Sequence, residues 1–291
     1  MKKIIVTGAN GFLAKTLIQQ ALKRDILVCG ISTSPQAIVH DRYLHLPITR
    51  SLNYDSEWLG CEIAWINPDV IFHFAGDPKV NSTDGILESN TLVTNNLLRF
   101  CKGCNFVFAS SAIVYGSRCP PDGFKVSDRV NPETLYAVTK VQCEELVRYY
   151  AKTGAINGLC IRYVATVGRN ATHGVLPDVV RKLKGSSEIE LFGDYPGSSK
   201  PYLWADESMG LTLDLGLSNL EEYSVCNMSP PDSLNIDLLV EEVLRTTGQS
   251  PVKKKWNPDA VWKGDQRNLR VQSEFNLLSS REAIRAAVRE L

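Results

Sequence analysis

The chain has no surplus of either charge: 32 Lys and Arg balance 32 Asp and Glu over 291 residues, a formal net charge of zero. No basic stripe stands out either, which argues against nucleic acid or anionic lipid as a partner and for a small molecule. Also missing is any apolar run of the roughly 18 residues that a membrane span requires. The opening Met-Lys-Lys-Ile-Ile-Val-Thr reaches Gly8 after only a few apolar residues, too few for an export signal, so a cytoplasmic protein is expected. The eight cysteines are then expected as thiols. Cys101 and Cys104 form a C-x-x-C, but no second Cys or His pair stands at zinc spacing, so these are read as structural thiols and no metal is expected. There is no internal repeat and no low-complexity tract.

What is present is a chain long enough, and with 44% hydrophobic residues apolar enough, for one large α/β domain or a large and a small one. Short apolar runs alternate with helical patterns through the first half. Lys3 to Thr7, Leu27 to Ser32, Val70 to Ala75, Asn105 to Ser110 and Gly158 to Val164 read as strands, with helices such as Ala14 to Lys23 and Thr91 to Cys101 between them. The expectation is a doubly wound parallel sheet of the Rossmann type. Beyond Val164, Gly and Pro break the chain into short pieces, read as a smaller interwoven substrate-capping region. The expected division is a dinucleotide-binding domain of residues 1–165, rejoined by about 202–227, and a substrate-binding region of 166–201 and 228–291. Tyr202 to Trp204 and Tyr223 to Asn227 are expected to return to the sheet.

The first strand runs directly into Gly8-Ala9-Asn10-Gly11-Phe12-Leu13-Ala14, and apolar Leu13, Leu17 and Ala21 follow at helical spacing. Gly8 permits a tight turn and Gly11 lets the backbone approach a pyrophosphate. Ala14 takes the position where helix meets strand. The helix N-terminus offers amides and partial positive charge to phosphates. Gly8, Asn10, Gly11, Phe12 and Leu13 are therefore candidate cofactor residues.

Tyr136 and Lys140 lie four apart in a helical pattern after Asn131-Pro132-Glu133-Thr134, so their side chains share a face. Free tyrosine, with a pKa near 10, is a poor base at neutral pH. A neighbouring ammonium and an oxidised nicotinamide stabilise its phenolate, making it a usable acid/base. Lys140 supplies that charge and can reach the nicotinamide ribose. Upstream, Phe106-Val107-Phe108-Ala109-Ser110-Ser111 is an apolar strand that delivers hydroxyls at its C-terminal end, where ligands bind in open α/β sheets. Ser111 is placed to hydrogen-bond the reacting hydroxyl or carbonyl. The candidate catalytic set is Ser111, Tyr136 and Lys140, with Ala109 beside the cofactor.

Together these residues resemble the extended short-chain dehydrogenase/reductase family, the NAD-dependent epimerase/dehydratase group that modifies nucleotide sugars. The likeness spans nearly the whole chain. It includes Thr7 to Phe12, Pro68 to Gly76, Asn90, Ser110 to Gly116, the Tyr136/Lys140 pair, Ile161-Arg162-Tyr163, Phe192-Gly193-Asp194, Pro201 to Glu207 and Lys263-Gly264-Asp265. The resemblance implies NAD or NADP as cofactor, with contacts from Phe74, Ala75, Gly76, Asn90, Tyr163 and Val164. It implies substrate contacts near Lys200 and Asp265, and a homodimer through the helices after Thr91 and at Tyr136 to Tyr150.

The departures narrow the chemistry. Ser32, followed by Thr33 and Ser34, stands where NAD-preferring relatives carry an acid for the ribose hydroxyls. These residues would not repel a 2′-phosphate, yet no arginine directly follows, so the choice between NAD and NADP stays open. Pro47-Ile48 replaces the usual Asp-Ile near the adenine, leaving Ile48 as the contact. Ala165 replaces a substrate-contacting Asn, and Lys200 an Arg, which loses the planar fork. Ala112-Ile113 lacks the acid pair of a 4,6-dehydratase and the Cys of a fucose-synthase-like enzyme. C4 epimerisation and 4-keto-sugar reduction remain. A non-catalytic dinucleotide sensor and a reductase of a non-sugar ketone are the alternatives. His73 is read as a buried or adenine-side histidine, and Asp206-Glu207 as a helix start.

Overall fold

The first strand, β1 (Lys3–Thr7), is apolar on both faces, and Ile4, Ile5 and Val6 are fully buried, as a parallel strand covered on both sides requires. In the computed structural model, which describes residues 1–49, 54, 57–80, 84–172, 174–259 and 268–291, it is followed by α1 (Phe12–Leu22), β2 (Leu27–Ser32), β3 (Tyr43–Pro47), α2 (Glu57–Ile66) and β4 (Val70–His73). A π-helical turn, Leu87–Leu92, runs into α3 (Val93–Leu98), then come β5 (Cys104–Ser111), α4 (Leu135–Lys152) and β6 (Ile156–Tyr163). The seven-stranded sheet has the order Tyr223–Met228, β6, β5, β4, β1, β2, β3. Parallel pairing joins β3 to β2, β2 to β1, β1 to β4 and β4 to β5. That is the Rossmann order, with its reversal between β1 and β4.

Two compact units result. The first comprises Met1–Val114, Val130–Arg162 and Met209–Cys226. Within it Ile5, Ile71, Phe106 and Phe108 from the strands pack with Leu97, Leu98, Cys143 and Val147 from α3 and α4. The second comprises Tyr115–Arg129, Tyr163–Ser208 and Asn227–Leu291. It is built from two-stranded pieces, Ala165–Val167 with Tyr202–Trp204, Glu188–Phe192 with Lys253–Asn257, and Ser199–Lys200 with Leu234–Asn235. Its core includes Leu176, Val179, Tyr202, Leu239, Val243 and Ile284.

β1 and β2 fall where the sequence places them, and four corrections apply elsewhere. Tyr202–Trp204 does not return to the large sheet; it pairs with Ala165–Val167, and Tyr202 N donates to Ser280 Oγ at 3.0 Å. A three-residue apolar run can satisfy either sheet, and here its buried face belongs to the second unit. Tyr115–Arg129 also lies in that unit, inside the stretch expected to be dinucleotide-binding. β4 stops at His73, two residues early, since Phe74 to Gly76 turns away and Gly76 has φ +148°. The edge strand β3 and helix α2 were not foreseen: β3 is short, ends on proline, and buries only Tyr43 and Leu46 fully.

No helix among the described residues is long and apolar enough to cross a membrane. All eight cysteines are thiols, and Cys101 and Cys104 are both buried. No group of three His, Cys, Asp or Glu among the described residues is placed to hold a metal.

Candidate active site

The sheet register assembles one edge. Thr7 lies level with Ile31 and His73, and His73 with Phe108. The next residues, Gly8, Ser32, Phe74 and Ala109, therefore emerge side by side at the carboxyl ends of the strands, where doubly wound sheets bind ligands.

Gly8 turns the chain there with φ +66°, in the left-handed region that favours glycine. A Cβ on it would lie 2.9 Å from Ala75 N and 3.0 Å from the Phe74 carbonyl carbon, so glycine is also needed for close packing of the β1 and β4 turns. Gly11 N-caps α1 with ordinary extended backbone and no side-chain cap. The amides of Phe12, Leu13 and Ala14 thus face the turn without intrahelical acceptors. Asn10 ties this turn to the end of β2: its Nδ2 donates to Ser32 Oγ (3.1 Å), Ser34 O (3.3 Å) and Pro35 O (2.7 Å), while its Oδ1 is buried with no partner.

Ser32 is 5% exposed, and its hydroxyl also meets His45 Nε2 at 2.9 Å. Partial burial pulls the His45 pKa below its ordinary value. Thr33 is exposed, and Ile48 is buried with its N–H donating to Ser32 O at 3.0 Å. An uncharged hydroxyl and an imidazole thus occupy the position of the missing acid. His45 was overlooked because the strand that carries it was.

His73 is buried between two hydroxyls, Thr7 Oγ1 at 2.7 Å from Nδ1 and Thr94 Oγ1 at 2.9 Å from Nε2. Thr94 spends its own proton on Asn90 O (2.7 Å), which assigns the imidazole proton to Nε2. Burial, with the Lys140 charge adding to it, pushes the pKa down to about 3, so the ring is neutral. His73 therefore joins β1 and β4 to α3, just after the π-helical turn, in keeping with the buried histidine expected.

Asn90, 3% exposed, sits on that turn; irregular π geometry is frequent at functional sites. Its Oδ1 accepts from Asp77 N at 2.7 Å and its Nδ2 donates to Thr139 Oγ1 at 3.0 Å. A Cβ on Gly76 would lie 2.6 Å from Asn90 Oδ1. Asn90 thus fixes the Phe74-Ala75-Gly76 turn against α4.

Helix α4 starts at Thr134, whose side chain accepts from Ala137 N at 3.1 Å. That sets the first turn, which carries Tyr136. One turn on, Lys140 is 9% exposed, and its Nζ donates to Ala109 O at 2.7 Å. The ammonium stands 4.7 Å from the Phe108 ring centroid and 5.6 Å from that of Tyr136. Ser111, two residues after Ala109, ends β5 half-buried, and its Oγ accepts from Ile113 N at 3.3 Å. Ser110 instead turns inward to Glu144 (2.5 Å), which is paired with Arg162. Ser110, Glu144 and Arg162 were not singled out as functional, since a pair on different elements leaves no local spacing signal.

Tyr163 ends β6 and Val164 follows; both are buried. Lys200 lies in the second unit, level with Leu234 in a two-stranded ladder. Asp265 lies outside the described residues. Asp206 and Glu207 open a helix as expected, with Glu207 accepting from Leu278 N at 3.0 Å.

Comparison with known proteins identifies the family. The model of the NAD dependent epimerase/dehydratase family matches residues 4–206, and the chain belongs to that family. An uncharacterised UDP-glucose epimerase of Bacillus subtilis is 28% identical over 262 residues, covering 83% of this chain and 82% of the relative. The dTDP-4-dehydro-6-deoxyglucose reductase of Escherichia coli is 24% identical over 261 residues (82% and 80%). The D-erythronate dehydrogenase of Haemophilus influenzae is 28% identical over 180 residues, and the match spans about half of each chain (55% and 53%). Among solved structures, UDP-glucuronic acid 4-epimerase from Bacillus cereus, in complex with UDP-glucuronic acid and NAD, superposes with a TM-score of 0.82 at 20% identity, covering 99% of this chain and 98% of that one.

The residues fit the family's cofactor, NAD or NADP. The first turn of α1 is uncapped, and the buried Asn10 Oδ1 has no partner. Gly8, Gly11 and the α1 amides would hold the pyrophosphate; Ser32 and Ile48 would meet the adenosine end. Phe74 to Gly76 and Lys140 would meet the ribose and nicotinamide side. When bound, the nicotinamide supplies reversible hydride transfer.

Proposed function

We propose that this chain transfers hydride at a ring carbon of a nucleotide sugar, as a C4 epimerase or a 4-ketoreductase. The observation that carries the reading is the placement of the Lys140 ammonium, 5.6 Å from the Tyr136 ring and bonded to the backbone oxygen of Ala109, which lies two residues before Ser111. In this reading Tyr136 Oη takes the proton of the substrate hydroxyl, or returns it to the carbonyl oxygen. Ser111 Oγ hydrogen-bonds that same oxygen, and Lys140 supplies the positive charge that favours the phenolate. Lys200 would meet the substrate nucleotide or diphosphate; Asp265, expected in the same role, lies outside the described residues.

Ser32 with His45, and no carboxylate, favours a reductase that exchanges NADPH. The Ser-Ser-Ala-x-Val-Tyr-Gly segment at Ser110 to Gly116 favours an epimerase. The test is the cofactor released on denaturing freshly purified protein. Stoichiometric NAD identifies the epimerase; protein that emerges empty and binds NADPH better than NADH identifies the reductase. Tyr136→Phe is expected to lower turnover by roughly 10²–10⁴-fold while retaining cofactor binding. Undiminished turnover in that variant removes Tyr136 from the role.

A cytoplasmic homodimer belongs to the same proposal. Leu92, which follows Thr91, and Tyr149 on α4 are exposed at 42% and 62%, on the helices expected to form the contact. Light scattering tests it, with the dimer at twice 32.3 kDa.

A further inference from the structure

Glu144 stands one helical turn after Lys140 on the same face of α4, and both are buried, at 4% and 9% exposure. A bare carboxylate there would offset the charge that Lys140 presents to Tyr136. It is not bare: Arg162 Nε donates to Oε1 at 3.0 Å and Nη2 to Oε2 at 2.7 Å, and Ser110 Oγ bonds Oε1 at 2.5 Å. A buried ion pair is a weak device for stability, because apolar residues of similar volume often serve as well or better. Its place beside Lys140 is the feature that calls for an account.

We propose that Arg162 is a charge-setting and positioning residue for the catalytic lysine. By neutralising Glu144 it leaves the Lys140 ammonium as the uncompensated charge facing Tyr136. The same clamp holds α4 in register on β5, since Lys140 grips Ala109 O and Glu144 grips Ser110, one residue further along the strand. Ser111 follows immediately. Arg162 acts through Glu144 and Lys140 and touches no reacting atom.

The surrounding titratable groups leave this balance intact. On α4, the Cys143 thiol is pushed up by burial, and Glu145 pairs with Arg148 at the surface. On β6, burial pushes the Cys160 thiol well up. On the strand Tyr223–Met228, burial likewise raises the Tyr223 phenol, whose OH donates to the Glu144 backbone oxygen at 3.4 Å. On β4, His73 is neutral. Among the described residues, Glu144 and Arg162 are the buried ion pair next to Lys140 on α4.

The inference rests on Tyr136 as the acid/base, and its test separates the two ideas. The readout is the phenolate absorbance near 295 nm against pH in NAD-saturated protein, taken as the difference from the same background carrying Tyr136→Phe. Arg162→Met is expected to move the midpoint up by roughly one pH unit, and Glu144→Gln to move it down by a similar amount. The double variant Glu144→Gln/Arg162→Met restores the unmodified balance and is expected to return the midpoint to within about 0.3 unit of the parent. The acid limb of kcat/KM should follow. Singles that shift together, or not at all, while the parent shows a distinct Tyr136 signal, overturn the role of Arg162 and leave that of Tyr136 standing. If the parent difference spectrum shows no separate Tyr136 transition, the acid/base reading fails first and this inference with it. Should Arg162→Met not fold, Glu144→Gln and the double variant decide alone: a downward shift that the second change reverses supports the proposal, and no shift overturns it.

Discussion

Each of the two units buries a glutamate against arginine, and the two pairs differ in what surrounds them. In the first unit Glu144 and Arg162 are both enclosed, with side chains 5% and 8% exposed. In the second unit Glu242 is equally buried at 5%, but its partners Arg245, Arg281 and Arg285 remain 58%, 48% and 32% exposed. The first pair lies beneath a site and joins α4, β5 and β6; the second joins two helices, Ile236–Thr247 and Ser280–Glu290, near the surface. Burial of the acid alone therefore does not mark function. Burial of both partners, together with a third bond to Ser110 beside the candidate residue Ser111, is what sets the first pair apart and what the proposed role of Arg162 rests on.

Truncation should expose the difference most strongly. Glu144→Ala leaves a buried guanidinium without its counter-ion, and about 3–5 kcal/mol of stability should be lost. Glu242→Ala releases arginines that water already reaches, and the loss should be about 1 kcal/mol. Urea denaturation of both variants measures this directly. Equal losses would mean that the two pairs serve the same structural purpose.

A second contrast concerns acid. The His73 pKa is depressed to about 3 in the folded chain, against about 6.5 in the unfolded one. Between those values the unfolded chain binds the extra proton, so stability is full above about pH 6.5 and falls as pH drops towards 3. At pH 5 the loss should be about 2 kcal/mol relative to pH 7.5. His73→Asn, which keeps polar atoms between Thr7 and Thr94, should flatten that part of the profile at the expense of some stability at neutral pH. An unchanged slope in the variant would place the acid sensitivity on other groups.

The sequence shows local patterns well and long-range ones poorly, and these residues illustrate why. Gly8, Tyr136 and Lys140 stand in short motifs whose spacing is dictated by one turn or one helix, so the turn and the helix that carry them were legible along with β1 and β2. Ser111 was legible because an apolar strand ending in hydroxyls is itself a local pattern. Tyr202–Trp204 misled because three apolar residues carry no information about their partner strand. Glu144 and Arg162 are 18 residues apart on different elements, and His45 contributes through an edge strand that lacks the continuous apolar run of β1. What the sequence withheld is mainly the pairing of buried polar groups across elements, which the packed sheet decides.

The smallest expected effect sharpens the comparison between the units most cleanly, because it equalises stability and separates function. Thr134 caps α4 in the first unit through its bond from Ala137 N, and Ser279 caps Ser280–Glu290 in the second with a full capping box to Glu282. Either one changed to alanine should cost about 1 kcal/mol. Only Thr134 holds the first turn that carries Tyr136, two residues on. Thr134→Ala should therefore lower kcat several-fold with little change in cofactor affinity, whereas Ser279→Ala should leave kcat within experimental error. Paired thermal melts and steady-state rates on the two variants give the answer. If both lose activity in proportion to stability, the rates report folding alone, and the first turn of α4 needs no special anchoring for catalysis.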